Sequence, residues 1–267
     1  MSGRRPSPVN LKEHVSRLLQ KGGLSLARHR TFARLVEGEQ RLRKLDLLLA
    51  FADDRVLPLA RYLRESKSEL GQDLFALAAT GLRRGGYFVE FGAGDGVRSS
   101  NTWLLETAFG WKGVLAEPAA IWHAPLFRNR AAHIEPSCVW RASGELLAFE
   151  QTTMPELSTL ARFRDHDGHG ARRRIARSYG VKSISLLDLL AKYDAPREID
   201  YLSLDTEGSE LSILEAFDFD RYAFRVITCE HNFAPARERV HALLRTKGYV
   251  RKFETHSRFD DFYVRAG

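Results

Sequence analysis

The sequence predicts an α/β protein: an open, mostly parallel sheet closed by a terminal strand pair and preceded by an N-terminal helical arm. Three observations predict it. The apolar run Tyr87–Phe91 leads into glycines at alternate positions, Gly92, Gly94 and Gly96, as a buried parallel strand does when it turns tightly into a helix. Apolar stretches of strand length then alternate with stretches of helical period. Four of these strands end in polar groups, where an open α/β sheet binds its ligand.

The arm is read as residues 1–65 and the sheet domain as 66–267, with 151–180 an inserted substrate loop. Residues 1–10 carry prolines and arginines and are expected to lack order. Val15, Leu18 and Leu19 recur at helical spacing, as do Leu42, Leu45, Leu48 and Leu49, with Gly22, Gly23 and Gly38 as punctuation. Pro58 lies near the start of another helical stretch. A helix over 70–82 stops at a basic last turn, Arg83 and Arg84, followed by Gly85 and Gly86. After the glycine strand, a helix starts near Ser99 to Thr102. Strands follow over 114–118 and 134–140, with a short hairpin around 146–149. Residues 151–180 hold no convincing core strand and read as a long irregular insertion, the usual form of a lid or binding loop. A helix over 184–193, a strand over 199–204, a helix over 211–217, a strand over 226–229 and a helix over 236–244 complete the alternation. Strands over 249–253 and 259–264 close the chain, and their hairpin makes at least one of them antiparallel.

Composition is that of an ordinary globular chain, with 44% hydrophobic and 28% charged residues among 267. No run approaches the roughly 18 apolar residues of a membrane helix. The start, MSGRRPSPVN, has no apolar segment behind it and does not read as a signal peptide. Cys138 and Cys229 fall in apolar strands without metal-ligand spacing, as buried free thiols of a reducing cytosol would. A cytoplasmic location is expected. The net charge of +7 favours anionic partners, and arginines cluster in the arm and again at Arg172, Arg173, Arg174 and Arg177. Either cluster also reads as a solvated face.

The motif E-x-G-x-G-x-G starting at Glu90 differs from the G-x-G-x-x-G of dinucleotide folds. A carboxylate two residues before the first glycine would repel a pyrophosphate and suit a cation. S-adenosylmethionine fits, with Glu90 on its amine and the glycine turn and helix start on its carboxylate. Glu117, ending the next strand, suits the two ribose hydroxyls. The remaining strand tips carry Asp205 and Glu207, then Glu230, His231 and Asn232, and all four tips should converge on one crevice. In the insertion, the run 165–170 matches no metal-ligand pattern. A loop offering His166, Arg172 and Arg173 to an anionic substrate is the preferred reading.

The segments YFVEFGAGDGVRSSNTWLLE, GWKGVLAEP, IDYLSLDTEGSELSILEAF, VITCEHN and FDDFYV together resemble the FkbM-type methyltransferases of the class I S-adenosylmethionine-dependent group. The resemblance covers roughly 66–265 without the insertion. It implies a Rossmann-like sheet of about seven strands with one antiparallel, and O-methylation of a sugar or polyketide hydroxyl. It implies that Glu90, Gly92 and Gly94 hold the methionine part and Glu117 the ribose. Ala93, Asp95, Asn101 and Pro118 complete the expected cofactor-binding set. Attack by a hydroxyl needs a base, and His231 is preferred, with Glu207 and Asp205 as further catalytic candidates. Alternatively Asp205, Glu230 and Asn232 hold a divalent metal such as Mg²⁺ that lowers the hydroxyl's pKa. The expected acceptor is an anionic or phosphorylated carbohydrate, with a homodimer through the N-terminal helices. An RNA-modifying enzyme and a non-catalytic cofactor-binding fold are the competing classes. The first lacks an aromatic-studded recognition motif, and an intact glycine loop argues against the second.

Overall fold

The computed structural model describes residues 29–266. The expectations for residues 1–10, for the helical spacing at Val15, Leu18 and Leu19, and for the break at Gly22 and Gly23 lie outside the described residues. The chain divides into two units at Arg41 and Leu42, within helix α1 (His29–Leu49). In the first unit Glu37 and Arg41 pair one helical turn apart. In the second, Leu47 and Leu48 are buried and the Lys44 ammonium donates to the Ser66 carbonyl at 3.0 Å.

The second unit continues through α2 (Val56–Ala60) and α3 (Gln72–Ala79) to β1 (Tyr87–Phe91), α4 (Trp103–Phe109), β2 (Lys112–Ala116), α5 (Ala120–Asn129) and β3 (His133–Glu135). Then come β4 (Cys138–Trp140), β5 (Leu146–Thr152), β6 (Thr159–Leu160), β7 (Ile175–Ser185), α6 (Leu186–Lys192), β8 (Glu198–Leu204), α7 (Glu210–Glu215), β9 (Ala223–Glu230), α8 (Ala236–Thr246), β10 (Tyr249–Lys252) and β11 (Asp260–Arg265). The main sheet has seven strands in the order β10-β11-β9-β8-β1-β2-β3. β1 is parallel to both neighbours, and β11 is antiparallel to both of its own. The chain runs outward one way from β1 through β2 and β3, then returns to β8 on the other side. The β1/β8 boundary is therefore the switch point at which such sheets open a crevice.

Apolar side chains alternate across this sheet. Val89 and Phe91 join one core with Leu202, Leu204 and Leu189; Phe88 joins another with Phe75, Leu104 and Tyr201. Glu90 shares its face with Phe88 and is buried there. The two cysteines are unbonded and buried.

Three local expectations are corrected. Residues 134–140 are not one strand: Pro136 has no N–H for a ladder, the Ser137 N–H turns to Glu135 Oε1 at 2.9 Å, and the chain passes to a second sheet. That sheet, β4-β7-β5-β6, is where 151–180 was expected to be irregular. Its β7 pairs with β5 from Ile175 to Lys182, and Trp140, Phe149, Leu160 and Val181 form a small core. Ile184 belongs to β7 rather than to a helix, because Ser185 caps α6, its hydroxyl accepting the Asp188 N–H at 3.1 Å.

Candidate functional site

A cavity of about 600 Å³ opens at the carboxyl ends of β1, β2, β8 and β9. Close contact between the tips of β1 and β8 shapes its floor. Gly92 has φ +71°, and a Cβ there would lie 2.0 Å from the Asp205 carbonyl oxygen, so only glycine lets the two turns meet.

The Glu90 carboxylate lines this cavity but is largely engaged by its own loop. Oε1 accepts the Asn101 N–H at 2.7 Å, and Oε2 accepts the Ser100 and Thr102 hydroxyls at 3.1 and 2.5 Å. It thus ties down the loop before α4, while Ser100 Oγ accepts the Thr102 and Trp103 N–H groups at 3.3 and 3.1 Å. Burial pushes its pKa up, against the nearby Arg130 guanidinium at 3.8 Å. Arg130, with a fully buried side chain, ties the same loop through Gly96, Ser100, Thr102 and Glu106. Nothing in the sequence around Arg130 signals that role.

Glu117 closes the β2 side. Its Oε2 accepts the Gly94 N–H at 2.8 Å and its Oε1 the Ala119 N–H at 2.7 Å. Burial raises its pKa to about 7, and the two backbone bonds oppose the rise. Pro118 lines the cavity beside it, with Trp122, Cys138 and Phe149 making an apolar wall. Asn101 also lines it; its amide donates to Ser203 Oγ at 2.9 Å, and its buried Oδ1 has no partner among the described residues. Asp95 turns back to accept the Val97 and Arg98 N–H groups, both at 2.8 Å. Ala93 lies buried beneath the loop.

On the opposite side Asp205, Glu207 and Glu230 bring carboxylate oxygens within 4.8 Å of one another. Burial raises all three pKa values; nearby carboxylates add to the rise, Glu207 at Asp205, Asp205 and Glu207 at Glu230, and Asp167 and Glu210 at Glu207, while a hydrogen bond with Glu230 opposes it at Asp205. Asp205 and Glu230 rise well above the usual carboxylate range, while Glu207, facing the Arg173 guanidinium, rises to about 7. Such a site favours a cationic ligand or a carboxylic acid kept neutral. Its oxygen-only donors would also fit a hard divalent cation.

His231 is placed elsewhere. Its ring lines a separate small cavity with His166, Leu211, Arg237 and Val240. Its Nδ1 accepts the Phe233 N–H at 3.0 Å, and Nε2 lies 3.4 Å from Ser257 Oγ. Burial depresses its pKa to about 4, only partly opposed by Asp261. Asn232 does line the main cavity, its amide directed at Glu207 and Asp167 at 3.4 and 3.5 Å. Of the three residues expected to meet an anionic acceptor, only Arg172 lines the main cavity. Arg173 is buried against Asp167 and Glu207, and His166 packs over Gly208. His169 and the stretch from Met154 to Ser158 also line the main cavity; they lie within the segment 151–180 expected to form a substrate loop, though sequence reasoning singles out none of them as a site residue.

The family whose model is described as Methyltransferase FkbM domain matches residues 90–256, which spans every strand tip of this cavity. No curated protein matches the chain. Among solved structures, the precorrin-6y C5,15-methyltransferase from Geobacter metallireducens is similar at 11% identity and a TM-score of 0.38, over 73% of this chain and 86% of that one. The METTL16 methyltransferase domain is similar at 14% identity and a TM-score of 0.38, over 80% of each chain. The fibrillarin/Nop5p complex is similar at 13% identity and a TM-score of 0.35, over 74% of this chain and 84% of that one.

Proposed function

The chain belongs to the FkbM methyltransferase family, and from that premise we propose that it transfers a methyl group to a hydroxyl of a sugar, glycan or glycosylated metabolite. Family membership makes it an S-adenosylmethionine-dependent methyltransferase; the oxygen acceptor and its carbohydrate class are our reading. The cavity residues fit the cofactor. Glu117 would take the ribose, the wall of Pro118, Trp122, Cys138 and Phe149 the adenine, and the acid side the cationic end. When bound, the cofactor supplies an activated methyl on a sulfonium, so the protein's task is alignment and removal of a proton.

The observation that carries oxygen transfer is Glu207. It is a buried carboxylate on the cavity wall whose pKa lies at about 7, where a general base works best near neutral pH. Glu207 would accept the hydroxyl proton. Arg172 at the rim supports an anionic or phosphorylated acceptor. The test is transfer of methyl-labelled cofactor to a panel of free, phosphorylated and lipid-linked sugars, with RNA as a competing acceptor. Label on a sugar oxygen is expected; label on RNA alone would overturn the reading.

A second reading is a divalent cation on Asp205, Glu207 and Glu230, favoured by the convergence of their oxygens. It would acidify the acceptor hydroxyl directly. Activity that persists after exhaustive chelation would eliminate it.

A further inference from the structure

We infer that Arg173, carried by the inserted segment, is the positioning residue for Glu207, so that the insertion completes the catalytic turn as well as covering it. The inference rests on the reading of Glu207 as the base. Arg173 has a side chain only 1% exposed, and every N–H of its guanidinium is engaged. Nε donates to the Leu157 carbonyl at 3.1 Å, and Nη1 to the Arg164 carbonyl and Asp167 Oδ1 at 2.9 and 2.7 Å. Nη2 donates to Asp167 Oδ2 at 2.8 Å and to Glu207 Oε2 at 2.5 Å. No donor is left for a substrate. The planar fork grips Asp167 with two bonds and aims its remaining N–H at Glu207.

Glu207 needs such a grip. Its backbone sits at φ +58°, sparsely populated for a residue with a side chain. The insertion also holds that backbone: the Thr159 hydroxyl donates to the Glu207 carbonyl at 2.8 Å. The next residue, Gly208, has φ +124°, and a Cβ there would lie 2.5 Å from the His166 ring. Contacts from Thr159, His166 and Arg173 therefore converge on two consecutive residues. A lysine at 173 would keep the charge but lose the fork.

The experiment is a double-mutant cycle between Arg173→Lys and Glu207→Gln, with S-adenosylhomocysteine titration and thermal melting of each variant. Arg173→Lys should lower kcat about 10–100-fold, as misplacement of a reacting group does, and change KM for cofactor and acceptor by no more than about threefold. Added to Glu207→Gln, it should cause no further loss, because both act through one group. Equal losses in both backgrounds, or a wild-type kcat for Arg173→Lys beside an inactive Glu207→Gln, would overturn the inference. Full activity of Glu207→Gln would instead overturn the base reading. If Arg173→Lys does not fold, Asp167→Asn, which loosens the guanidinium without removing it, takes its place in the same cycle with the same expected non-additivity.

Discussion

The N–H of Gly94 donates to the Glu117 carboxylate at 2.8 Å, joining the turn after β1 to the tip of β2 across the mouth of the cavity. The bond sets the spacing of the glycine turn and the acid that flank the expected cofactor. Glu117→Gln keeps the size but weakens acceptance from the N–H and, on the proposed reading, from the ribose hydroxyls. Affinity for S-adenosylhomocysteine should fall by about 10-fold or more, the cost of about one charge-assisted hydrogen bond. Calorimetric titration checks it.

The pH dependence of stability follows from the same burial. Glu117, Glu207 and Asp260 are each raised to about 7, from ordinary values of 4.5, 4.5 and 3.8. Between those limits these three acids hold more protons folded than unfolded, which outweighs His231, depressed to about 4 and acting the other way below its ordinary 6.5, so stability falls as pH rises. The ligand-free protein should melt at a lower temperature at about pH 8 than at about pH 5. S-adenosylhomocysteine, whose ammonium can balance the ionised acids, should stabilise it more at the higher pH. Calorimetric melts at both pH values with and without the ligand test this. A ligand-free melting point that does not fall with pH would contradict the burial argument.

Gly92→Ala should be severe. The added methyl would meet the Asp205 carbonyl at 2.0 Å, and the backbone is at φ +71°. A loss of about 3 kcal/mol or more is expected from strain and clash together, with cofactor binding abolished. Chemical denaturation measures the first and titration the second.

His231→Ala should keep activity within a few-fold of the parent, since its ring lies outside the main cavity. It should cost about 1–2 kcal/mol of stability through the orphaned Phe233 N–H and the vacated space. A loss of a hundredfold or more in kcat at unchanged stability would restore it as the base.

The strand tips show what the sequence discloses. Gly92 and Glu117 were legible because a glycine turn after an apolar run, and an acid ending the next strand, are local signals. His231 was misplaced although strand alternation bears on it. It shares parity with Cys229, which packs into the core, whereas Glu230 between them faces the cavity. Arg173 and Asp167 lie in an arginine- and histidine-rich run that reads as a solvated loop. The bond from Arg173 to Glu207 spans 34 residues, and no periodicity encodes that. β7 was missed because much of its length is exposed; among Arg177, Ser178, Tyr179 and Gly180 no apolar alternation marks the strand.

The placement of Arg173 bears on any effort to redirect the enzyme toward another acceptor. Exchanging the segment between β6 and β7 for that of a relative would swap part of the cavity wall, His169 and Arg172. It would also discard the clasp on Glu207, unless an aspartate and an arginine travel with the graft at the spacing seen between Asp167 and Arg173. The cavity wall and the support of the proposed base lie in the same stretch of chain, so chimaeras here should be chosen by that pair before their loop length.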